Sequence, residues 1–527
     1  MSNPSPSRSP RLEDATLRQW VERWAIETPA APAVLTESGD MDYDGLHAKA
    51  LALAVFLRDL GFGRGDILAV QLPNTLEFVL SYLASGYVGA ILQTIHMPYR
   101  SGEIEPLLRH SRAKGIVCLA RTRDVAPAEI MLSLKRTVPT LQHVIAHGDG
   151  APPGTSPFPQ LSNASVARAL PTPDARDRFL LLYTSGTTSA PKGVPIAYRN
   201  FLPNAALSAR ELEIDNRSIL LSAAPFSHLY GLYSVKLALA IGAATALLPV
   251  FSPPALAGAL ERYRPMGIFV GPAHMAACLN EGLLTQERMA PLKFALISGS
   301  TCPPALARTV QQRMANGKVL QLWGMSEMQA GTFTRPSDSE AVRFETAGRA
   351  SPGTELRVAN EDEPLPAGNE GELQARGPSI FSGYLDSAAA TADAFTADGW
   401  FRTGDLARLD PAGNLQITGR LKDVINRGGV KFNLADVEVL IEQHPAVAAC
   451  AIVPVPDPVL GERACCFAVL KPGADMIELA DLTGWLAGKN VAKIKWPERL
   501  ELIAEMPMTP TRKIMKGQLT RRAAALK

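Results

Sequence analysis

The sequence predicts a layered α/β protein with largely parallel sheets, and three observations predict it. Short apolar runs bounded by turn residues recur at DILAVQL (66–72), GIVCLA (115–120), FLLLY (179–183), SILLSAAPF (218–226), GAATALLPV (242–250), MGIFVGPA (266–273) and FALISGS (294–300). Strands covered on both faces read as such unbroken runs. Helical patterns lie between most of them, and that alternation makes parallel sheets whose strand-end loops carry the site. From about residue 351 the texture changes to short strands and closely spaced turns, and after 423 to a second strand–helix rhythm.

Taken in order, the N-terminal MSNPSPSRSPR is Pro/Ser-rich with arginines and no apolar core. It predicts a flexible tail over 1–15, neither a signal peptide nor an anchor. The most apolar stretch, 229–250, is interrupted by Gly231, Lys236, Gly242 and Pro249 and so falls short of a membrane span. It predicts a buried helix followed by a strand. The turns NEDEPLPAGNEG (360–371), ADG (397–399) and DPAGN (410–414) predict a β-rich subdomain. VEVLIEQH, CAIVPVPD, ACCFAVLK and LTGWLAG after GRLKD (419–423) predict a small α+β domain.

Composition narrows the ligand. The 527 residues are enough for several units with large cores, and 46% are hydrophobic. Lys plus Arg number 53 against 51 acidic residues, a formal net charge of +2 that offers no broad field for nucleic acid or anionic membrane. Small molecules are the expected partners. The cysteines Cys118, Cys278, Cys302, Cys450, Cys465 and Cys466 lack metal-ligand spacing and suit a reducing cytoplasm.

The loop after FLLLY carries the strongest chemical signal. YTSGTTSAPKG (183–193) combines the hydroxyls of Thr184, Ser185, Thr187 and Thr188 with Gly186 and the fixed charge of Lys192. Small residues let backbone N–H groups turn toward an anion, and hydroxyls and lysine add donors, a composition suited to phosphate. The Walker spacing fails because Gly186 and Gly193 flank Lys192 in the wrong order. An ordinary Ser/Thr/Gly turn is the alternative at this point.

Four further motifs follow in order: PFSHLYG (225–231), LWGMSE (322–327), WFRTGD (400–405) and GRLKDVINRGG (419–429), with PTRKIMK (510–516) near the end. Together with the loop they resemble the adenylate-forming superfamily of acyl-CoA synthetases, adenylation domains and luciferases, from about residue 15 to 520. The resemblance implies a large multi-layered N-terminal domain over 16–419, with two αβ sheets and the β-rich subdomain, a hinge at 420–423, and a small mobile C-terminal domain over 424–527. It implies activation of a carboxylic acid by ATP as an acyl-adenylate, then transfer to coenzyme A. A stand-alone enzyme loading the phosphopantetheine of an acyl carrier protein is the alternative, and a monomer or homodimer is expected.

The resemblance also assigns residues. Thr184, Ser185, Gly186, Thr187, Thr188 and Lys192 would hold the triphosphate, and Glu327 with Thr188 the Mg²⁺, a hard cation that takes carboxylate and phosphate oxygen together. Trp323, with Ser300, Thr301 and Cys302, would enclose the adenine, beside Gly324, Met325 and Ser326; core packing is the other reading of Trp323. Asp405 would accept the ribose hydroxyls, and Arg420 belongs to the same nucleotide set. Lys513 would bridge the acid and the α-phosphate, with Lys516 as the alternative because Arg512 stands where the family usually has glycine. Lys422 matches the hinge, and Gly428 and Gly429 would admit a pantetheine arm. His228 would shape the carboxylate end and gate the thiol, or serve structure alone.

The acid itself is expected to be uncharged apart from its carboxylate. Between Pro225 and Val235 there is no Asp, Glu or Arg, so nothing there pairs with an ammonium or a second carboxylate. Leu229, Tyr230, Leu232, Tyr233, Met275 and Met325 predict an apolar wall for an aromatic, alicyclic or fatty acid.

Overall fold

The computed structural model describes residues 15–161, 170–184, 191–427, 430–457, 461–489, 491–509 and 514–525. Their contacts divide into two compact units, one built from residues up to 184, 191–355 and 376–393, the other from 356–375 and 394 onward.

Two sheets organise the first unit. In the larger, six strands run parallel in the spatial order Pro32–Leu35, Ala244–Ala246, Ile219–Ser222, Gly267–Val270, Phe294–Ile297, Lys318–Met325. Beyond the last of these, Gln329–Phe333 and Arg349–Ala350 pair antiparallel. The second sheet is parallel from Ser156–Pro157 through His143–His147, Gly115–Leu119, Ile67–Gln71 and Ile91–Thr94 to Arg178–Thr184, and Lys192–Ala197 closes its edge antiparallel. Strand residues such as Leu68, Ala69, Ile116, Leu180, Ile268 and Leu296 are fully buried. Double burial is why these strands appear in the sequence as apolar runs rather than as alternation.

The run SILLSAAPF yields a strand only as far as Ser222. Pro225 cannot donate to a ladder, and Ala224 and Phe226 exchange hydrogen bonds with the Asn74 side chain instead, at 3.0 and 2.7 Å. The apolar stretch after it forms the helix Leu229–Ile241, capped by His228 and ended by the left-handed Gly242, and then the strand Ala244–Ala246. Every residue from Leu229 to Leu239 is buried, Lys236 included. Gly231 is required here, since a Cβ would lie 2.2 Å from the Pro225 carbonyl oxygen.

The second unit holds two sheets of its own. Glu355–Asn360, Glu363–Pro364, Gly371–Arg376, Phe401–Leu409 and Leu415–Arg420 form the β-rich part that the clustered turns predict. Val424–Arg427, Val430–Asn433, Val447–Asp457, Gly461–Leu470 and Arg499–Leu502 form the other, with the helices Leu434–Ile441, Leu479–Gly488 and Lys516–Ala525. Side chains alternate across this sheet: Cys450, Ile452 and Cys466 enter one apolar cluster, Ala451, Val453 and Cys465 another. The adjacent Cys465 and Cys466 are thereby sent to opposite faces, and all six cysteines are free and buried. Among the described residues no helix is long and apolar enough to cross a membrane.

Candidate active site

In the first unit, Lys192, Tyr384 and Glu327 stand together. Arg178–Thr184 and Lys192–Ala197 form a hairpin that pairs Thr184 with Lys192 at its mouth. The residues between, with the expected donors Ser185, Gly186, Thr187 and Thr188, lie outside the described residues. The Lys192 Nζ stands 4.7 Å from the centroid of the Tyr384 ring, a cation–π approach that holds the ammonium without neutralising it. The Leu385 N–H donates to the Gly193 carbonyl at 2.9 Å and fixes that ring beside the strand.

Glu327 lies in the turn joining Lys318–Met325 to Gln329–Phe333. It is 4% exposed, unusual for a glutamate. The Tyr384 hydroxyl donates to its Oε1 at 3.0 Å, and the Phe381 N–H donates to its main-chain oxygen at 2.7 Å. Burial, and then the negative charge of Glu327, push the Tyr384 hydroxyl up from its ordinary value, so it remains a donor. The turn is tight: a Cβ at Gly324 would lie 1.9 Å from the Gln329 oxygen, and Gln329 itself has φ of 65°. Lys192, Tyr384 and Glu327 thus form one cation–ring–anion array. Tyr384 was not singled out from the sequence; its signal was the Gly383–Tyr384 pair in PSIFSGYL, 57 residues beyond the carboxylate that it serves.

This donor set fits Mg²⁺. Glu327 offers hard carboxylate oxygen, and no group of three or more His, Cys, Asp or Glu is found among the described residues. A cation held by one carboxylate must complete its shell with phosphate and water, which is how Mg²⁺ binds with nucleotides.

Trp323 pairs with Thr332 and is half-buried, its ring packed so closely on Gly331 that a Cβ there would lie 2.6 Å away. Ser300 and Thr301 are exposed after the Phe294–Ile297 strand, whereas the Cys302 side chain packs into the core, where burial pushes its thiol up to about 12. Gly324, Met325 and Ser326 are half-buried. Of the expected apolar wall, Leu229, Tyr230, Leu232, Tyr233 and Met275 are all buried in the core, and only Met325 is half-buried. The Tyr230 hydroxyl donates to the Leu296 oxygen at 2.6 Å.

His228 is half-buried and caps its helix: its Nδ1 accepts the Tyr230 N–H at 3.2 Å, which assigns the ring proton to Nε2. Its ring lies parallel to that of His96, centroids 6.4 Å apart. His96 pairs through Nδ1 with the Ser227 hydroxyl at 2.9 Å, and burial pushes it down to about 4, so it remains neutral.

In the second unit, Asp405 and Arg420 are directly opposite on paired strands. Arg420 Nε reaches Asp405 Oδ1 at 2.8 Å, and Asp405 is 3% exposed. A buried carboxylate held at one oxygen by a guanidinium remains an acceptor for further donors. Lys516 binds Glu438 at 2.8 Å and Asp423 at 3.7 Å, which ties the last helix to the segment after Arg420. Lys513, Gly428 and Gly429 lie outside the described residues, as does the side chain of Lys422.

Residues 21–385 match the model of the AMP-binding enzyme family, and 436–513 match that family's C-terminal domain. The chain belongs to this adenylate-forming family. The medium-chain fatty-acid–CoA ligase of Escherichia coli K12 is 32% identical over 95% of this chain and 89% of its own length. The salicyl-AMP ligase / salicyl-S-ArCP synthetase of Mycobacterium tuberculosis is 34% identical over 97% and 89%. In fold, the anthranilate CoA ligase AuaEII solved with anthranoyl-AMP superposes with a TM-score of 0.84 at 24% identity, covering 99% of each chain. These likenesses bear out the α/β architecture with a large N-terminal and a small C-terminal domain.

Proposed function

We propose that this enzyme is an AMP-forming acid:CoA ligase for an apolar carboxylic acid. In the first half-reaction a carboxylate oxygen attacks the α-phosphate of ATP, forming acyl-AMP and releasing diphosphate. In the second the thiol of coenzyme A displaces AMP and leaves a thioester. The observation that carries the reading is the buried Glu327 held by Tyr384, whose ring seats Lys192 at the mouth of the YTSGTTSAPKG loop. Joining two anions demands cations and fixed donors around the phosphates. Bound Mg²⁺ supplies charge neutralisation of phosphate oxygen there, with Glu327 and Thr188 holding it.

The remaining residues take roles on the chain's own chemistry. Lys192 and the loop hydroxyls bind the triphosphate; Trp323, with the 300–302 segment, receives the adenine. Asp405, steadied by Arg420, accepts the ribose hydroxyls. Lys513 supplies the cation of the first half-reaction; the double engagement of Lys516 by Glu438 and Asp423 favours Lys513 over it. Lys422 is the hinge, and Gly428 and Gly429 admit the thiol arm. His228, at the start of its helix, shapes the carboxylate end and gates the thiol.

Removing one donor tests the array. Tyr384→Phe keeps the ring beneath Lys192 and deletes only the hydroxyl on Glu327. A hydrogen bond to a charged group contributes roughly 1.5–3 kcal/mol, so the KM for MgATP is expected to rise about tenfold or more while the KM for the acid stays within about twofold. Steady-state diphosphate release reads both.

A carrier-protein thiol is the second reading, favoured by the M. tuberculosis relative, whose name couples salicyl-AMP formation to loading of a carrier. Pre-formed acyl-adenylate offered to coenzyme A and to phosphopantetheinylated carrier, with products read by mass, separates the two. Faster thioester formation on free coenzyme A is the expected result; turnover on the carrier alone would replace it.

A further inference from the structure

Lys236 is 1% exposed at the centre of a buried helix whose other side chains are mostly apolar. No carboxylate pairs with it among the described residues. Its Nζ donates to the Gln329 Oε1 at 2.8 Å and to the Phe201 main-chain oxygen at 3.1 Å, and lies 4.0 Å from the Phe201 ring centroid. Burial alone pushes its ammonium well below the ordinary lysine value. Two donated hydrogen bonds are available to amine and ammonium alike, so the contacts persist in either state.

A buried lysine without a counter-ion is costly, so its place calls for an explanation. Its partner explains its place. Gln329 is buried in the left-handed conformation two residues after Glu327. Its Nε2 donates to the Asn200 oxygen at 2.6 Å and the Ser379 oxygen at 3.2 Å. Asn200 in turn donates to the Pro378 oxygen at 2.7 Å and the Ile380 oxygen at 3.2 Å. One side-chain amide therefore joins the Glu327 turn to the 378–384 segment that carries Tyr384, and Lys236 fixes which way that amide points.

We propose that Lys236 is a positioning residue for adenylation, acting through Gln329 to hold the Glu327 turn and the Tyr384 segment in register. It rests on the adenylate-forming reading for its effect on turnover, but not for its effect on structure. Phe201 extends the same hold to the helix Tyr198–Glu211, which follows directly from the strand bearing Lys192. A single buried amino group thus braces all three members of the array, none of which it touches.

Lys236→Met, Gln329→Met and the double variant test this in the full chain. Amide hydrogen exchange in 324–331 and 378–384 is expected to quicken about tenfold in each single variant, with 67–71 unchanged. The KM for MgATP is expected to rise about tenfold and that for the acid to stay within about twofold, a split that general loss of stability would not give. The double variant is expected to match the more severe single one, because both changes break one path. Unchanged exchange in those two segments, or additive effects in the double variant, would overturn the proposal. If Lys236→Met does not fold, Gln329→Met carries the same exchange test with the same overturning result. Exchange needs no turnover, so a chain that released no diphosphate would refute the ligase reading and leave this result standing.

Discussion

Lys513→Ala is expected to lose acyl-adenylate formation by roughly two to three orders of magnitude while still converting supplied acyl-adenylate to thioester at near the parental rate. The reasoning begins with charge. When the carboxylate meets the α-phosphate, negative charge builds on phosphate oxygens, and a lysine with three freely rotating donors can follow that charge as it moves. In the second half-reaction a neutral thiol attacks an activated carbonyl and AMP departs, so the same cation is not required. Single-turnover diphosphate release reads the first step, and thioester formation from synthetic acyl-adenylate reads the second. Equal loss in both would remove Lys513 from this role. Lys516→Ala is the control: it frees Glu438 and Asp423, so its damage is expected in stability before chemistry.

The second large effect is at Glu327. Glu327→Gln keeps the shape and the oxygen that accepts from Tyr384 but removes the charge. The apparent Mg²⁺ requirement for diphosphate release is expected to rise about a hundredfold, because a neutral amide is a poor ligand for a hard cation. The carboxylate is 4% exposed, so solvent cannot make good the lost charge. An unchanged magnesium titration would reject Glu327 as a ligand. The contrast with Tyr384→Phe is informative, since that variant keeps the charge and loses only its orientation.

Much of the fold was legible because burial on both faces writes itself directly into composition. Ile67–Gln71, Gly115–Leu119, Gly267–Val270 and Phe294–Ile297 all lie within predicted apolar runs. The helix followed by a strand over 229–250 was legible from its apolar content, and the β-rich texture after 351 from its clustered turns. Strand length was less so, since AAPF after Ser222 is just as apolar as a strand, and it is Pro225 together with the distant Asn74 that makes it a loop. The antiparallel hairpin carrying Glu327 was hidden too, because its tight turn depends on a left-handed Gln329, a conformation that side chains seldom mark.

Lys236 illustrates the other limit. In the sequence it is an interruption that argues against a membrane span; in the fold it is a buried donor holding an amide 93 residues away. Tyr384 is similar, since a tyrosine beside a glycine reads as a turn until its hydroxyl is found on Glu327. The sequence motifs named the groups proposed to meet the nucleotide, whereas Tyr384 and Gln329, which orient Glu327 and its turn, depend on long-range contacts.

The most direct test of the account is diphosphate release from purified enzyme given magnesium, ATP and a wide panel of carboxylic acids. Apolar aromatic, alicyclic or fatty acids are expected to liberate diphosphate in about one equivalent per enzyme without thiol and to turn over when coenzyme A is added. No diphosphate from any acid, with the protein folded and ATP in excess, would contradict it.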